Sequence, residues 1–128
     1  METKIYLIRH GSIDNPDCIV YGHLPLPLSE EGEKQASNLG KKLQKSKVKF
    51  DFIYASPLKR TMQTAQIIQK SVDGPEIISS DSLIDTDVGD LQGRPLDIVI
   101  KADYSAEHVA GYEGETRAQM IERLRPFF

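Results

Sequence analysis

Three short apolar runs separated by two helix-patterned segments narrow the fold of this chain more than any other feature. The first, Lys4 to Arg9, carries Ile5-Tyr6-Leu7-Ile8 and has the near-continuous apolarity of a strand buried on both faces. Asp51-Phe52-Ile53-Tyr54 reads as a second strand and Glu76-Ile77-Ile78 as a third, shorter one. After the first run, Ser12 to Pro27 reads as a loop broken by prolines. Ser29 is then suited to cap a helix whose first turn holds Glu30 and Glu31, and Ala36, Leu39 and Leu43 give that helix one apolar stripe. After the second run, Ser56-Pro57 reads as an N-cap with proline at the first helical position, followed by Leu58, Met62, Ala65 and Ile68 on the buried side. Strand, helix, strand, helix, strand predicts a three-layer α/β sandwich with a mainly parallel sheet flanked by helices.

Beyond the third run, Asp81 to Arg94 reads as an acidic loop and Pro95 to Lys101 as a short helix. Gly111 to Glu115 reads as a turn. Thr116 and Gln119 form a capping-box pattern for a last helix with Met120, Ile121 and Leu124 inside. No repeat, linker or low-complexity stretch divides the chain, so residues 1–128 read as a single domain.

Composition excludes several classes of function. A net charge of -3 gives no reason to expect nucleic acid as a partner. No apolar run approaches a membrane span, and the run behind Met1-Glu2-Thr3-Lys4 is too short for a signal peptide. A lone cysteine, Cys18, forms no internal disulfide and fits a cytoplasmic protein. A thiol nucleophile is set aside, because cysteine phosphatases place arginine six residues on, where this chain has Leu24. His10, His23 and nearby Asp residues lack the spacing of a metal site, so neither metal nor cofactor is expected.

In an open α/β sheet, ligands bind beyond the carboxyl ends of the strands. Three groups fall there: Arg9-His10-Gly11, Ser56-Pro57-Leu58-Lys59-Arg60, and Asp85-Thr86-Asp87-Val88-Gly89. A neutral imidazole can act as a covalent nucleophile. Two guanidiniums can fork onto one tetrahedral oxyanion, and a carboxylic acid can protonate a leaving oxygen. Gly11 lets backbone N–H groups approach a ligand closely. These are the parts for phosphoryl transfer without a metal, with charge stabilisation by the clamp as the main contribution. Taken singly, each has a plainer reading: Arg60 as a solvated helix charge, Asp85 as a turn residue, His23 and His108 as surface histidines.

With these residues placed, the chain resembles the histidine phosphatase superfamily, the phosphoglycerate mutase-like family. Arg9-His10-Gly11 looks like its defining motif, and Gly22 with Pro27-Leu28-Ser29-Glu30-Glu31-Gly32 resembles the next segment. Ser56 to Arg60 with Thr64-Ala65 resembles the second motif. Leu83, Asp85, Gly89, Leu91, Gln92 and Gly93 follow the pattern of the acid loop. Gly114-Glu115-Thr116 with Arg123 resembles the segment before the last catalytic motif.

The resemblance implies that His10 accepts the phosphoryl group, that Arg9 and Arg60 hold its oxygens, and that Asp85 is the general acid, with Asp87 as competitor. Gly11, Asn15, Gly22 and His23 complete the implied substrate-binding set. Asn15 stands one position short of the Asn many members carry, and Pro25 replaces a frequent Asp. The implied activity is a phosphomonoester hydrolase for small phosphorylated metabolites, with a small phosphorylated substrate or inorganic phosphate as the bound partner. The short Gly93–Gly111 segment favours an α-ribazole phosphatase-like or broad-specificity enzyme over a phosphoglycerate mutase. The alternative from another class is a catalytically impaired phosphate-binding or interaction module.

The family's second catalytic histidine lies on a Ser-His-Gly-like motif after one more strand, which this sequence lacks; neither His23 nor His108 is placed to replace it. The implied strand lies between strands one and two, so a C-terminally incomplete sheet and much reduced turnover are expected. A fragment of a longer protein, a rearranged sheet, or a homodimer that borrows a strand each accounts for this.

Overall fold

The computed structural model describes residues 2–97 and 111–128. Their architecture is a small parallel sheet against a helical layer. Strand β1 (Ile53–Ala55) pairs in parallel with β2 (Ile77–Ser79), in the register Ile53↔Ile77, Tyr54↔Ile78 and Ala55↔Ser79. Helix α1 (Glu30–Lys45) begins where Ser29 predicts, with the Ser29 hydroxyl accepting from the Gly32 N–H at 3.1 Å. Its acidic first turn and the lysines of its last turn match the helix dipole. Helix α2 (Lys59–Val72) packs on α1 and supplies Ile68, 4% exposed, to the interior. Helix α3 (Arg117–Leu124) starts with the expected capping box: the Gln119 N–H donates to the Thr116 hydroxyl, and the Thr116 N–H to the Gln119 side chain.

Several expectations need correction. Ser56 does not cap α2. Its hydroxyl accepts from the Leu58 N–H at 3.3 Å, closing a local turn, and the helix begins at Lys59 after Leu58. Ile121 is not inside α3: it is 47% exposed, while Met120 and Leu124 turn inward. The largest difference is at the first apolar run. Residues 4–9 form no strand, and Ile5 and Leu7 are 68% and 86% exposed. A strand is made by its ladder, and no backbone–backbone bond ties these residues to another described segment. The expected helix from Pro95 to Lys101 falls mostly outside the described residues, as does His108.

The loop read between residues 12 and 27 is tied at two points. Ile13 bridges Leu28, and the stretch around Val20 pairs with residues 93–96, the Val20 N–H donating to the Arg94 carbonyl at 2.8 Å. Val20, Val88 and Leu91, the last fully buried, form a core under this loop with Tyr112 against it. That core fixes the acid loop against the segment leading to Gly22, which is what brings distant residues to one site.

Candidate active site

At the carboxyl end of β1 the chain turns into α2, and Arg60 stands in its first turn. Arg60 is 1% exposed, deeper than a solvated helix charge. One of its terminal nitrogens donates to the Gly22 carbonyl at 3.0 Å and to an Asp85 carboxylate oxygen at 3.2 Å. The Tyr21 ring lies over the guanidinium, 4.7 Å from its centre. The remaining nitrogens, Nε and Nη1, are buried and meet no acceptor among the described residues. Buried N–H groups without partners are rare, and on a cation they call for an anion.

The Arg9-His10-Gly11 loop meets Arg60 across a cavity of about 430 Å³ that both line together with Tyr21, Ser56, Asp85 and Arg123. The His10 Nδ1 lies 2.7 Å from the Gly11 carbonyl oxygen. A carbonyl only accepts, so Nδ1 is the donor, and in the neutral imidazole this leaves the lone pair on Nε2. Gly11 contributes otherwise than by exposing its N–H. That group donates to the buried Thr64 hydroxyl at 3.2 Å, and a Cβ on Gly11 would collide with the Gly32 backbone. Gly11 is therefore a packing glycine that seats the histidine loop flush on the first turn of α1.

Of the two candidate acids, Asp85 lines the cavity and Asp87 does not. Asp87 instead accepts from the Gly89 N–H at 2.8 Å. Asp85 is open on one side, 55% exposed, with one carboxylate oxygen on Arg60 and the other accepting from the Thr86 N–H.

Other predicted residues stand behind the cavity. Asn15 closes its own turn, donating to the Ile19 carbonyl and accepting from the Ile19 N–H. Gly22 has φ +42, and its carbonyl anchors Arg60. His23 lies 2.6 Å through Nε2 from the Asp85 carbonyl, so it steadies the acid loop. Cys18 is exposed and lines no part of the cavity. Among the described residues, no cluster of three or more His, Cys, Asp or Glu could hold a metal, and no helix is long and apolar enough to cross a membrane.

Two residues that line the cavity, Tyr21 and Arg123, were not among the candidate site residues, although Arg123 was named with Gly114-Glu115-Thr116 in the resemblance. Tyr21 carried no signal beyond its place before Gly22. Arg123, 23% exposed, grips Glu115 with two bonds of 2.8 Å. That fork holds the Glu115 carboxyl below its usual range against the opposing effect of burial, and raises Arg123.

Comparison with known proteins identifies the family of the chain. The family model of the histidine phosphatase superfamily (branch 1) matches residues 5–128. A 2,3-bisphosphoglycerate-dependent phosphoglycerate mutase of Bartonella tribocorum is 38% identical, over 100% of this chain and 68% of that protein. The α-ribazole phosphatase of Shigella flexneri superposes with a TM-score of 0.72 at 27% identity, covering 94% of this chain and 62% of that one. A mycobacterial glucosyl-3-phosphoglycerate phosphatase, solved in complex with VO3, superposes with a TM-score of 0.73 at 26% identity, covering 92% and 61%. The chain spans about half the length of several curated relatives that it matches. With the loop after its first apolar run, the first turn of α2 and the acid loop gathered on one cavity, the chain belongs to the histidine phosphatase superfamily.

Proposed function

We propose that the protein is a phosphomonoester hydrolase that works through a phosphohistidine on His10. The observation that carries this is Arg60: a buried cation with two unpartnered nitrogens, beside an imidazole whose Nε2 is free to attack. In the first step the Nε2 lone pair forms a bond to phosphorus while the ester P–O bond breaks. The departing oxygen takes its proton from the Asp85 carboxyl. Arg9 and Arg60 hold the phosphoryl oxygens, where charge spreads in the transition state. In the second step water attacks phosphorus and gives a proton to the Asp85 carboxylate. The N–P bond breaks, phosphate leaves, and the imidazole regains its lone pair.

Asp85 rests as the ionic partner of Arg60. A phosphate would take the two unpartnered nitrogens, Nε and Nη1, and the acid step requires Asp85 to carry the proton that it delivers. That a structurally similar phosphatase was solved in complex with VO3 supports the binding of an oxyanion. Small phosphorylated metabolites are the proposed substrates, and the similarity to an α-ribazole phosphatase favours that class.

Release of phosphate from an aryl phosphate is the direct test. Turnover that disappears in His10→Ala while vanadate binding persists is expected; turnover that survives His10→Ala overturns the mechanism. A second reading, isomerisation of a phosphoglycerate, is favoured by the mutase relative. Isomer formation without phosphate release would select it. Vanadate binding with neither activity would select the impaired binding module.

A further inference from the structure

The acid loop has little structure of its own, yet it must present Asp85 at a fixed distance from a bound phosphate. It contains only short 3₁₀ turns at Asp81–Leu83 and Gly89–Leu91. Helix α3 and Glu115, just before its cap, supply the missing rigidity. Arg123 donates through Nη1 to the Ser82 carbonyl at 2.8 Å, three residues before Asp85. The Glu115 N–H donates to the Asp87 carbonyl at 2.7 Å, two residues after it. Between them, the Thr86 hydroxyl donates to the Met120 sulfur at 3.4 Å. The bidentate fork between Arg123 and Glu115 locks the two ends of this bracket to each other. The capping box sets the first turn of α3, so Glu115 and Arg123 keep a constant spacing.

We propose that Glu115 and Arg123 are positioning residues that set Asp85 against the leaving oxygen. The inference rests on the phosphatase reading and adds to it. Arg123 also lines the cavity, which invites the view that it is a third phosphate-binding cation. The fork argues against this, because Nε and Nη2 are spent on a carboxylate whose charge cancels that of Arg123. Arg60, by contrast, keeps two nitrogens for an anion.

The two roles separate by leaving group. Phenyl phosphate needs protonation of its departing oxygen, whereas dinitrophenyl phosphate does not. Asp85→Asn sets the benchmark for loss of the acid. For Arg123→Lys and Glu115→Gln, kcat/KM on phenyl phosphate is expected to fall about 10- to 100-fold, as for a displaced general acid. On dinitrophenyl phosphate it is expected to fall by less than about threefold, with the vanadate Kd unchanged, which also reports that the variants are folded. Equal loss on both esters, or weakened vanadate binding in Arg123→Lys, overturns the inference and leaves the phosphatase reading standing. A wild-type chain that turns over neither ester overturns that reading, and the inference with it.

Discussion

Arg60 sets stability against the proposed anion binding within one side chain. Folding buries its charge to 1% exposure and leaves two nitrogens without an acceptor. Hydrogen bonds to charged groups contribute about 1.5–3 kcal/mol each, so an anion that takes both is held far more tightly than one on a surface cation. Arg60→Met keeps the apolar stem and removes the buried charge. Its folding stability is expected to stay within about 1 kcal/mol of wild type, since losing the bond to the Gly22 carbonyl, the pair with the half-exposed Asp85 and the Tyr21 contact is offset by relief of desolvation. Its vanadate affinity is expected to fall at least about 30-fold. Chemical unfolding with vanadate titration checks both, and a stability loss beyond about 3 kcal/mol would make Arg60 a structural residue. Glu115 gives a pH-resolved counterpart. Its folded carboxyl is held below the usual 4.5, chiefly by the hydrogen bonds from Arg123. A depressed carboxylate stabilises the fold above its unfolded value, and that stabilisation is lost as pH falls through the folded value. Glu115→Gln should therefore be less stable by about 1–3 kcal/mol near neutrality, with the gap closing well below pH 4.5. Urea unfolding across that range tests it; a gap independent of pH would assign the loss to something other than the fork.

At the level of elements, the helices were legible because their signals are local. Ser29, the acidic first turn of α1 and the pair Thr116 and Gln119 carry their own hydrogen-bonding partners within a few residues, and each helix forms around them. That residues 4–9 form no strand was not legible, because apolarity records what a segment would bury and not whether a neighbour pairs with it. The same division runs through the site. His10, Arg60 and Asp85 were singled out from residue type and expected strand-end position, and they line one cavity although no strand precedes His10. The work of Tyr21, Glu115 and Arg123 depends on contacts across the chain that no spacing encodes. Gly32 shows how strongly one such contact constrains an element. A Cβ there would overlap the Ser12 carbonyl oxygen, which belongs to backbone and cannot swing aside. Alanine is worth about 1 kcal/mol more than glycine in a helix interior, so propensity alone predicts that Gly32→Ala stabilises α1. Overpacking costs about 1–3 kcal/mol and should win. The variant is expected to be less stable and to bind vanadate more weakly, because the loop carrying His10 rests on this turn. A rise in melting temperature would show that the loop relaxes freely.

Across the whole molecule, the sheet side is the exposed one. Ile5, Leu7 and Phe52 are 68%, 86% and 66% exposed, and Ile78 is 41% exposed on β2. Aromatic contacts run along the same region: Tyr6 meets Phe50 edge-on at 5.4 Å, and Tyr54 meets Phe127 at 5.1 Å. A two-stranded sheet with unpaired backbone beside it is a template for association as well as an apolar surface. Covering one such side chain contributes about 1.5–3 kcal/mol, more than the 0–1 kcal/mol of an exposed ion pair. The net charge of -3 is too small to keep copies of such a face apart. The chain as it stands is therefore expected to bind a hydrophobic dye in its folded state and to self-associate as concentration rises. Leu7→Lys is the discriminating change, because a side chain 86% exposed contributes little to the fold it leaves. Its unfolding midpoint at low concentration should match wild type, while dye fluorescence and the apparent mass in sedimentation should both drop. A wild-type chain that stays monomeric and excludes the dye would mean that this face is covered in solution by an arrangement of residues 2–9 other than the one seen.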